Sequence, residues 1–187
     1  MFKTFSVLAG LVGVAAILSA QAIDPDTFKV NYFAYNLEAD ENVVWVTNVG
    51  TSGGNVCADI YVFDPYQELS ECCSCLATPD GLTQLQLTYQ LLENPLTGIT
   101  LDTGVIKILS AATTGGKCPL PTAPKPTPGI RAWGTHLSHT VATETEFSDS
   151  GLSAVELGRL AAQCKAIQLV GSGKGVCDCG TDGNNGG

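Results

Sequence analysis

Short segments of alternating or continuous hydrophobic residues, separated by Gly, Pro, Asn and Asp, make up most of this chain. Their length and their β-branched and aromatic content predict β-strands. The predicted strands cover residues 28–35, 43–49, 56–63, 82–92, 105–109, 130–141 and 143–147. About seven strands with frequent turn signals predict a mainly β fold: a single disulfide-stapled antiparallel β-sandwich, Ig-like or jelly-roll-like, with one C-terminal α-helix.

Turn chemistry supports the strand limits. Residues 50–55, which are rich in Gly, predict a hairpin connection between the second and third strands. In residues 78–81 the proline presets φ and Gly81 accepts a positive φ, which predicts a tight turn. A strand over 82–92 would place four side chains on one face, namely Leu85, Leu87, Tyr89 and Leu91.

A segment near 153–170 has the spacing of an amphipathic helix. Its apolar stripe consists of Leu157, Leu160, Ala161, Cys164 and Ile167. Ser153 is the expected N-cap, Glu156 three residues later completes a capping box, and Gly171 ends the helix. Because Cys164 lies on the buried stripe, we expect a disulfide to pin the helix to the sheet.

A proline-rich segment interrupts the strand pattern at residues 119–128, with five prolines in ten positions. This composition predicts a semi-rigid, polyproline-like loop outside the sheets. Because Cys118 is placed to tie the loop down, we predict one domain over 23–179. The polar, Gly-rich residues 180–187 are expected to form a disordered tail.

The first 22 residues have the order of a cleavable secretory signal peptide. Lys3 is the only charged residue before Asp24, an apolar run of about 12 residues follows it, and small residues at 20–22 suit cleavage before Ile23. A membrane-spanning helix needs roughly 20 apolar residues, and no later segment is that long. We therefore predict a secreted mature chain, extracellular or at the periplasm or cell surface, without membrane insertion.

Composition narrows the classes of partner. Hydrophobic residues make up 44% of the chain and charged residues 14%, which excludes general disorder. The formal net charge is −9, and loss of Lys3 with the leader makes it one unit more negative. A strongly acidic surface with few Lys and Arg repels nucleic acid and anionic lipid, so neither is expected as a partner.

Cysteines are the most informative residue type. The chain has eight, all in the predicted mature part: Cys57, Cys72, Cys73, Cys75, Cys118, Cys164, Cys177 and Cys179. An even number in an exported protein indicates disulfides. Cys72 and Cys73 should not bond each other, since disulfide Cα atoms lie about 5.5 Å apart and neighbouring ones about 3.8 Å. In an extended segment Cys73 and Cys75 share a face, and Cys72 points away.

The pairing is expected to follow the two cysteine clusters. We expect Cys57 to pair within the 72–75 cluster, and Cys164 to pair with Cys177 or Cys179. The alternative is a thiolate site for zinc or copper(I) at these clusters. Because thiols exported unfolded meet an oxidant before a metal, we expect staples, with no metal and no other cofactor.

Two glycine-rich motifs suggest chemistry that their context does not support. Residues 50–54 match Gly-x-Ser-x-Gly, but a strand follows instead of a helix, and both histidines come later in the chain. Residues 171–175 hint at a phosphate loop, but they follow a helix instead of opening one. His136 and His139 would point to opposite faces of a strand, which disfavours a joint metal site.

Carboxylate pairs are the remaining catalytic candidates. They are Glu144 with Glu146, Asp59 with Asp64, and Asp178 with Asp182. Glu144 and Glu146 share a strand face and could bind calcium or act as an acid and a base. Among 18 acidic residues such pairs arise by chance, so a solvated face is the simpler interpretation and no catalytic residue is assigned.

Four aromatic residues are candidates for a ligand-stacking face: Trp45, Trp133, Tyr61 and Tyr66. Rings of this kind stack on sugars, although packing in the core is the competing interpretation.

Several motifs together resemble a family of exported, cysteine-rich bacterial proteins. They are Tyr-Val-Phe-Asp-Pro with Cys-Cys-Ser-Cys in residues 60–75, the segments 94–98 and 144–149, and the closing residues 164–179. The resemblance implies a bacterial source and an exported location, and it carries over no catalytic residue. We expect a non-enzymatic, secreted or cell-envelope protein, structural or adhesive, that self-associates or binds an envelope or glycan partner. The alternatives are an extracellular carbohydrate- or ligand-binding module, and a metal-binding or redox protein that uses the cysteine clusters.

Overall fold

A computed structural model describes residues 24–34, 42–99, 101–138 and 141–180 and confirms a mainly β fold. The predicted leader, His139, Asp182 and residues 181–187 of the predicted tail lie outside these ranges. The strands are β1 Phe28–Ala34, β2 Val43–Asn48, β3 Val56–Phe63, β4 Leu69–Ala77, β5 Leu82–Gln86, β6 Thr103–Ala112, β7 Ile130–Ser138, β8 Val141–Glu146 and β9 Ser148–Asp149. Helix α1 is Ala154–Val170. Among the described helices, none combines the length and the hydrophobicity needed to cross a bilayer.

The strands form two antiparallel sheets that pack as a sandwich. The first sheet has the order β4-β3-β6-β1-β9, and the second has the order β5-β2-β7-β8. Alternate side chains such as Val44 and Val46 of β2 and Ile60 and Val62 of β3 fill the space between them. This alternation follows from the pleat, which sends successive side chains to opposite faces of a strand.

The two sheets differ in how their outer faces are covered. Helix α1 and the proline-rich loop lie over the first sheet, where Tyr61 and Phe63 pack with Leu160 and Ile167. All eight residues of β3 are therefore buried, which explains its nearly continuous apolar sequence. In contrast, all six residues of β8, at the edge of the second sheet, are exposed.

Strand β4 is missing from the sequence prediction. Its composition, with Ser, Glu and three Cys, has little of the β-branched and aromatic content that marks a strand. It forms because it pairs along β3 from Val56 opposite Ala77 to Tyr61 opposite Cys72, and both of its faces are buried.

Only the first half of the predicted strand over 82–92 is a strand in the structure. Strand β5 ends at Gln86, and a π-helical turn covers Leu87–Leu91. Leu87 and Leu91 are buried one turn apart, whereas Tyr89 points the other way and is 63% exposed. A period-2 pattern of apolar residues over so few positions therefore did not distinguish a strand from a helical turn.

Two turns differ from their predictions in detail. Residues 50–55 do not close a hairpin, because β2 and β3 belong to different sheets and the segment crosses between them. In the turn at 78–81 the positive φ of 58° lies on Asp80, not on Gly81. Gly81 is required for space instead, since a Cβ there would lie 2.5 Å from the Thr78 Oγ1.

Helix α1 confirms the predicted N-cap, stripe and end, but the return bond of the predicted capping box does not form among the described residues, because the Glu156 carboxylate pairs with two cations instead. The Ser153 hydroxyl accepts from the Glu156 N–H at 3.0 Å, and Leu160, Cys164 and Ile167 are buried. The Glu156 carboxylate bonds Lys107 of β6 at 2.7 Å and Arg159 at 2.7 Å. These two cations hold the pKa of Glu156 at about 2.

Candidate functional site

All eight cysteines are oxidised, as predicted. The bonds are Cys57–Cys118, Cys72–Cys164, Cys73–Cys177 and Cys75–Cys179. The prediction that the vicinal pair reaches two distant partners is confirmed, as is the pinning of α1 to the sheet. The expected pairing of Cys57 with the 72–75 cluster and of Cys164 with Cys177 or Cys179 is wrong.

The pleat of β4 explains the observed pairing. Cys72 points to the outer side of the first sheet, where α1 lies, and Cys73 and Cys75 point to the sandwich interior. Cys57 faces outward on β3. Cys75 is the cysteine of the 72–75 cluster nearest to Cys57 along the paired strands, but it points to the opposite face of the sheet and so cannot bond Cys57. Cys57 therefore bonds Cys118 at the start of the proline-rich loop, with 5.5 Å between the Cα atoms.

The oxidised state bears on the metal and redox hypothesis. The sulfurs of Cys73, Cys75 and Cys179 lie within 4.8 Å of one another, which is a spacing that a metal ion accepts. Each belongs to a disulfide, however, and zinc and copper(I) bind thiolates. Four disulfides in a chain of this size indicate an oxidising compartment outside the cytoplasm.

A tryptophan pair lies on the outer face of the second sheet. Trp45 of β2 and Trp133 of β7 are directly opposite each other in register, and both are half-buried. Their neighbours Val44, Val46 and Ala132 point into the core, so both indoles point outward. The indole N–H of Trp45 donates to the Thr135 Oγ1 at 2.8 Å, which fixes the ring plane against the sheet.

Polar side chains extend this row to both edges of the sheet. Gln84 of β5 is the partner of Trp45, and Glu146 of β8 is the partner of Trp133. Gln84 and Glu146 are exposed, and Thr47 and Arg131 form the next pair along β2 and β7. The row therefore presents two aromatic rings between an amide and a carboxylate.

The other two aromatic candidates do not join this face. Tyr61 is fully buried beneath α1, so it cannot stack on a ligand, and its place in the candidate set is wrong. Tyr66 is 83% exposed, but it lies in the turn between β3 and β4 of the first sheet. Sequence alone could not separate these four rings, because their positions depend on which sheet and which face each strand joins.

The remaining sequence motifs gain no chemistry in the structure. Residues 50–54 form the connection between the two sheets, and Gly171 caps α1 with its N–H on the Ile167 carbonyl. His136 is exposed on β7. Glu144 and Glu146 share the outer face of β8, also exposed, and no element of the described chain encloses them.

An open cleft lies between the sheets at the edge formed by β1 and β8. It has a volume of about 230 Å³, with Phe33, Phe147 and Leu87 in its floor and Asn31 and Thr145 at its rim. Strand β9 pairs only with Lys29 and Val30, so among the described residues the second half of β1 is left as an open edge beside the cleft.

Two carboxyl groups of the first sheet, Asp59 and Glu71, are buried; the sequence suggested Asp59 only as a partner of Asp64, and it gave no indication of Glu71. Asp59 on β3 accepts from the Ser74 hydroxyl on β4 at 2.5 Å, and burial raises its pKa to about 7. Burial also raises the pKa of Glu71 to about 8, against a lowering by the Asn94 N–H. The available signal was a carboxylate in the middle of an apolar strand, since Asp59 lies between Ala58 and Ile60.

Comparison of the chain with protein families, with curated proteins and with solved structures found no match. The resemblance to exported, cysteine-rich bacterial proteins therefore stays a prediction.

Proposed function

We propose that the protein is a non-enzymatic, secreted or cell-envelope adhesive protein that binds neutral carbohydrate on the outer face of its second sheet. The observation that carries this proposal is the paired Trp45 and Trp133 on the uncovered face of a sandwich whose other outer face is covered by α1 and the proline-rich loop. Aromatic rings offer a flat apolar surface for the C–H face of a sugar.

The geometry of this face suits a preorganised binding surface. Opposite residues on antiparallel strands have Cβ atoms about 5 Å apart, so the two indoles are close enough to form one continuous platform. The Trp45–Thr135 hydrogen bond restrains one ring before any ligand arrives, which lowers the entropy lost on binding. Gln84 and Glu146 flank the platform with groups that hydrogen-bond sugar hydroxyls.

Charge favours a neutral ligand over an anionic one. Glu144 and Glu146 are exposed at the β8 edge of this face, and the chain as a whole carries a formal charge of −9. Repulsion of this kind disfavours uronic-acid or sulfated glycans as well as nucleic acid. The platform is open and flat, without the cleft in which two carboxyl groups of a glycosidase flank the bond to be cleaved.

The test is retention of the oxidised mature protein on neutral polysaccharides in affinity electrophoresis, followed by calorimetry with soluble oligosaccharides. We expect Trp133→Ala to weaken binding about tenfold, because one of the two rings of the platform is lost. Tyr66→Ala is the matched control, since it removes an exposed aromatic ring from the other sheet. Equal losses in the two variants, or no binding to any neutral glycan, would refute the proposal, and release of reducing ends would instead indicate a hydrolase.

Self-association is a second candidate function, favoured by β8 in particular. This edge strand is exposed along all six residues and contains neither Pro nor Lys, two residues that protect an edge from pairing, and its only charged residues are Glu144 and Glu146. In contrast, β4, an edge strand of the first sheet, is partly covered by a backbone bridge from Cys72 to Val176. Sedimentation analysis over a wide concentration range tests it: association that Thr143→Lys abolishes supports β8 pairing, and a monomer at all concentrations contradicts it.

A further inference from the structure

A small cavity lies on the outer face of the first sheet, away from the tryptophan platform. Its volume is about 150 Å³, and Asp59 and Ser74 form its polar wall. The proline-rich loop supplies the opposite wall through residues 119–125. The Cys57–Cys118 disulfide ties this loop to β3 next to Asp59, so the wall is held in place covalently.

The carboxyl group of Asp59 is buried without a cationic partner. Asp59 is 2% exposed, and its one hydrogen bond in the described chain comes from Ser74 to Oδ1, which leaves Oδ2 without a donor. The cations that form ion pairs have other partners: Lys29, Lys107, Arg131 and Arg159 bond Asp26, Asp149 or Glu156. A buried carboxylate in this state is costly unless a positive group compensates it.

The other titratable groups near Asp59 do not provide that charge. Tyr61 lies two residues along β3, and its pKa is raised by burial and by the nearby Asp59. Lys125 lines the cavity from the loop, but it is exposed and forms no ion pair among the described residues. The cavity therefore combines a free carboxylate oxygen and a hydroxyl with the apolar rings of Pro119, Pro121 and Pro124.

We propose that this cavity binds a primary alkylammonium group, with the ammonium on Asp59 and Ser74 and the alkyl chain against the proline rings. An ammonium carries three N–H donors, which suit the Asp59 Oδ2 and the Ser74 oxygen. The group belongs either to a free small amine or to a lysine side chain of another protein. This site is independent of the carbohydrate platform, which lies on the other sheet.

Binding should depend on pH with a defined sign. The ammonium binds ionised Asp59, and a proton competes for the same carboxylate because burial raises its pKa to about 7. Affinity is therefore expected to be higher at pH 8 than at pH 5.5. A purely apolar crevice would show no such change.

In the experiment, the oxidised mature protein is titrated with n-butylammonium, and binding is monitored through the amide chemical shifts. The uncharged control ligand is n-butanol. We expect saturable shifts at Asp59, Ser74 and Thr122 when n-butylammonium is added. The Asp59→Asn variant should bind n-butylammonium about tenfold more weakly than the wild type. The wild type should bind n-butanol more weakly than the Asp59→Asn variant binds n-butylammonium. Asp59→Asn keeps the shape of the side chain, and Ser74→Ala is the second variant, which should bind more weakly and retain the pH dependence.

The outcomes separate the proposal from its rivals. Equal binding of n-butanol and n-butylammonium, an unchanged affinity in Asp59→Asn, or shifts that do not saturate would each overturn it. An Nα-acetyl-lysine amide distinguishes the two sources: binding comparable to that of n-butylammonium supports a lysine side chain, and exclusion of this larger ligand supports a free amine.

Discussion

When the disulfides are removed one at a time, the loss in free energy of unfolding should be largest for the disulfide with the shortest sequence separation and smallest for the two with the longest. The separations are 61 residues for Cys57–Cys118, 92 for Cys72–Cys164 and 104 for Cys73–Cys177 and Cys75–Cys179. If each bridge acted alone, the two longest loops would contribute most, because a cross-link restricts the unfolded chain more as its loop grows. The bridges do not act alone, since they interleave.

The relevant length is the ring that a bridge closes while the other three are intact. For Cys57–Cys118 no route through another bridge is shorter than 61 residues, so its removal is expected to cost about 4 kcal/mol. For Cys72–Cys164, the adjacent bridge Cys73–Cys177 reduces the ring to about 14 residues and the cost to about 3 kcal/mol.

The two bridges at the C terminus form a tandem pair. Cys75 and Cys179 are each two residues from a partner in Cys73–Cys177, so the ring between the bridges has about 4 residues. Loss of either one alone is expected to cost about 2 kcal/mol. Loss of both opens a much larger ring and should cost about 5 kcal/mol.

The assay is equilibrium urea unfolding at 25 °C without reductant, with both cysteines of a bridge replaced by Ala and the remaining bridges checked by mass. All eight cysteines are at most 5% exposed, so the loss of buried sulfur is similar for each pair and the ranking reports the rings. A larger loss for either tandem bridge than for Cys57–Cys118 would refute the reasoning. Far-ultraviolet circular dichroism of each variant controls for a changed fold.

Two further predictions test single positions. Asp59→Asn should raise the free energy of unfolding by at least about 1 kcal/mol at pH 8 and leave it unchanged at pH 4, as measured by urea unfolding. Burial raises the folded-state pKa of Asp59 to about 7, so between about pH 4 and pH 7 the folded state holds a proton that the unfolded state releases. Wild-type stability therefore falls as the pH rises through this range. An equal effect of Asp59→Asn at both pH values contradicts this. Gly104→Ala should cost about 1–3 kcal/mol, because a Cβ would lie 2.2 Å from the Phe63 carbonyl oxygen. Its matched control, Gly158→Ala on the exposed side of α1, meets nothing within 4 Å and should gain up to about 1 kcal/mol in thermal unfolding.

Features that depend on a few neighbouring residues were predictable from the sequence. The capped start of α1 follows from Ser153 and the stripe that includes Cys164, and both are local patterns with a period of 3.6 residues. The limits of β3 agree with the prediction because Gly-rich and Asp-Pro segments bound it. The separation of Cys72 from Cys73 onto opposite faces also follows from the pleat alone.

Features that depend on strand order were not predictable in the same way. Cys57 and Cys164 were assigned wrong partners, because proximity along the chain says nothing about which sheet face a sulfur occupies. The strand β4 was missed for a related reason, since its Ser, Glu and Cys residues are stabilised in a strand by tertiary burial and pairing.

The sequence by itself determined that the chain is a mainly β protein with four oxidised pairs and one capped helix, since periodicity, turn residues and cysteine count act over short distances or by composition. Only the tertiary structure decided that Trp45 and Trp133 are neighbours and that Asp59 of β3 lies opposite Ser74 of the adjacent strand β4. The physical reason is register: a side chain on a strand acquires its neighbours from the partner strand, and that partner is chosen by burial of the whole sheet.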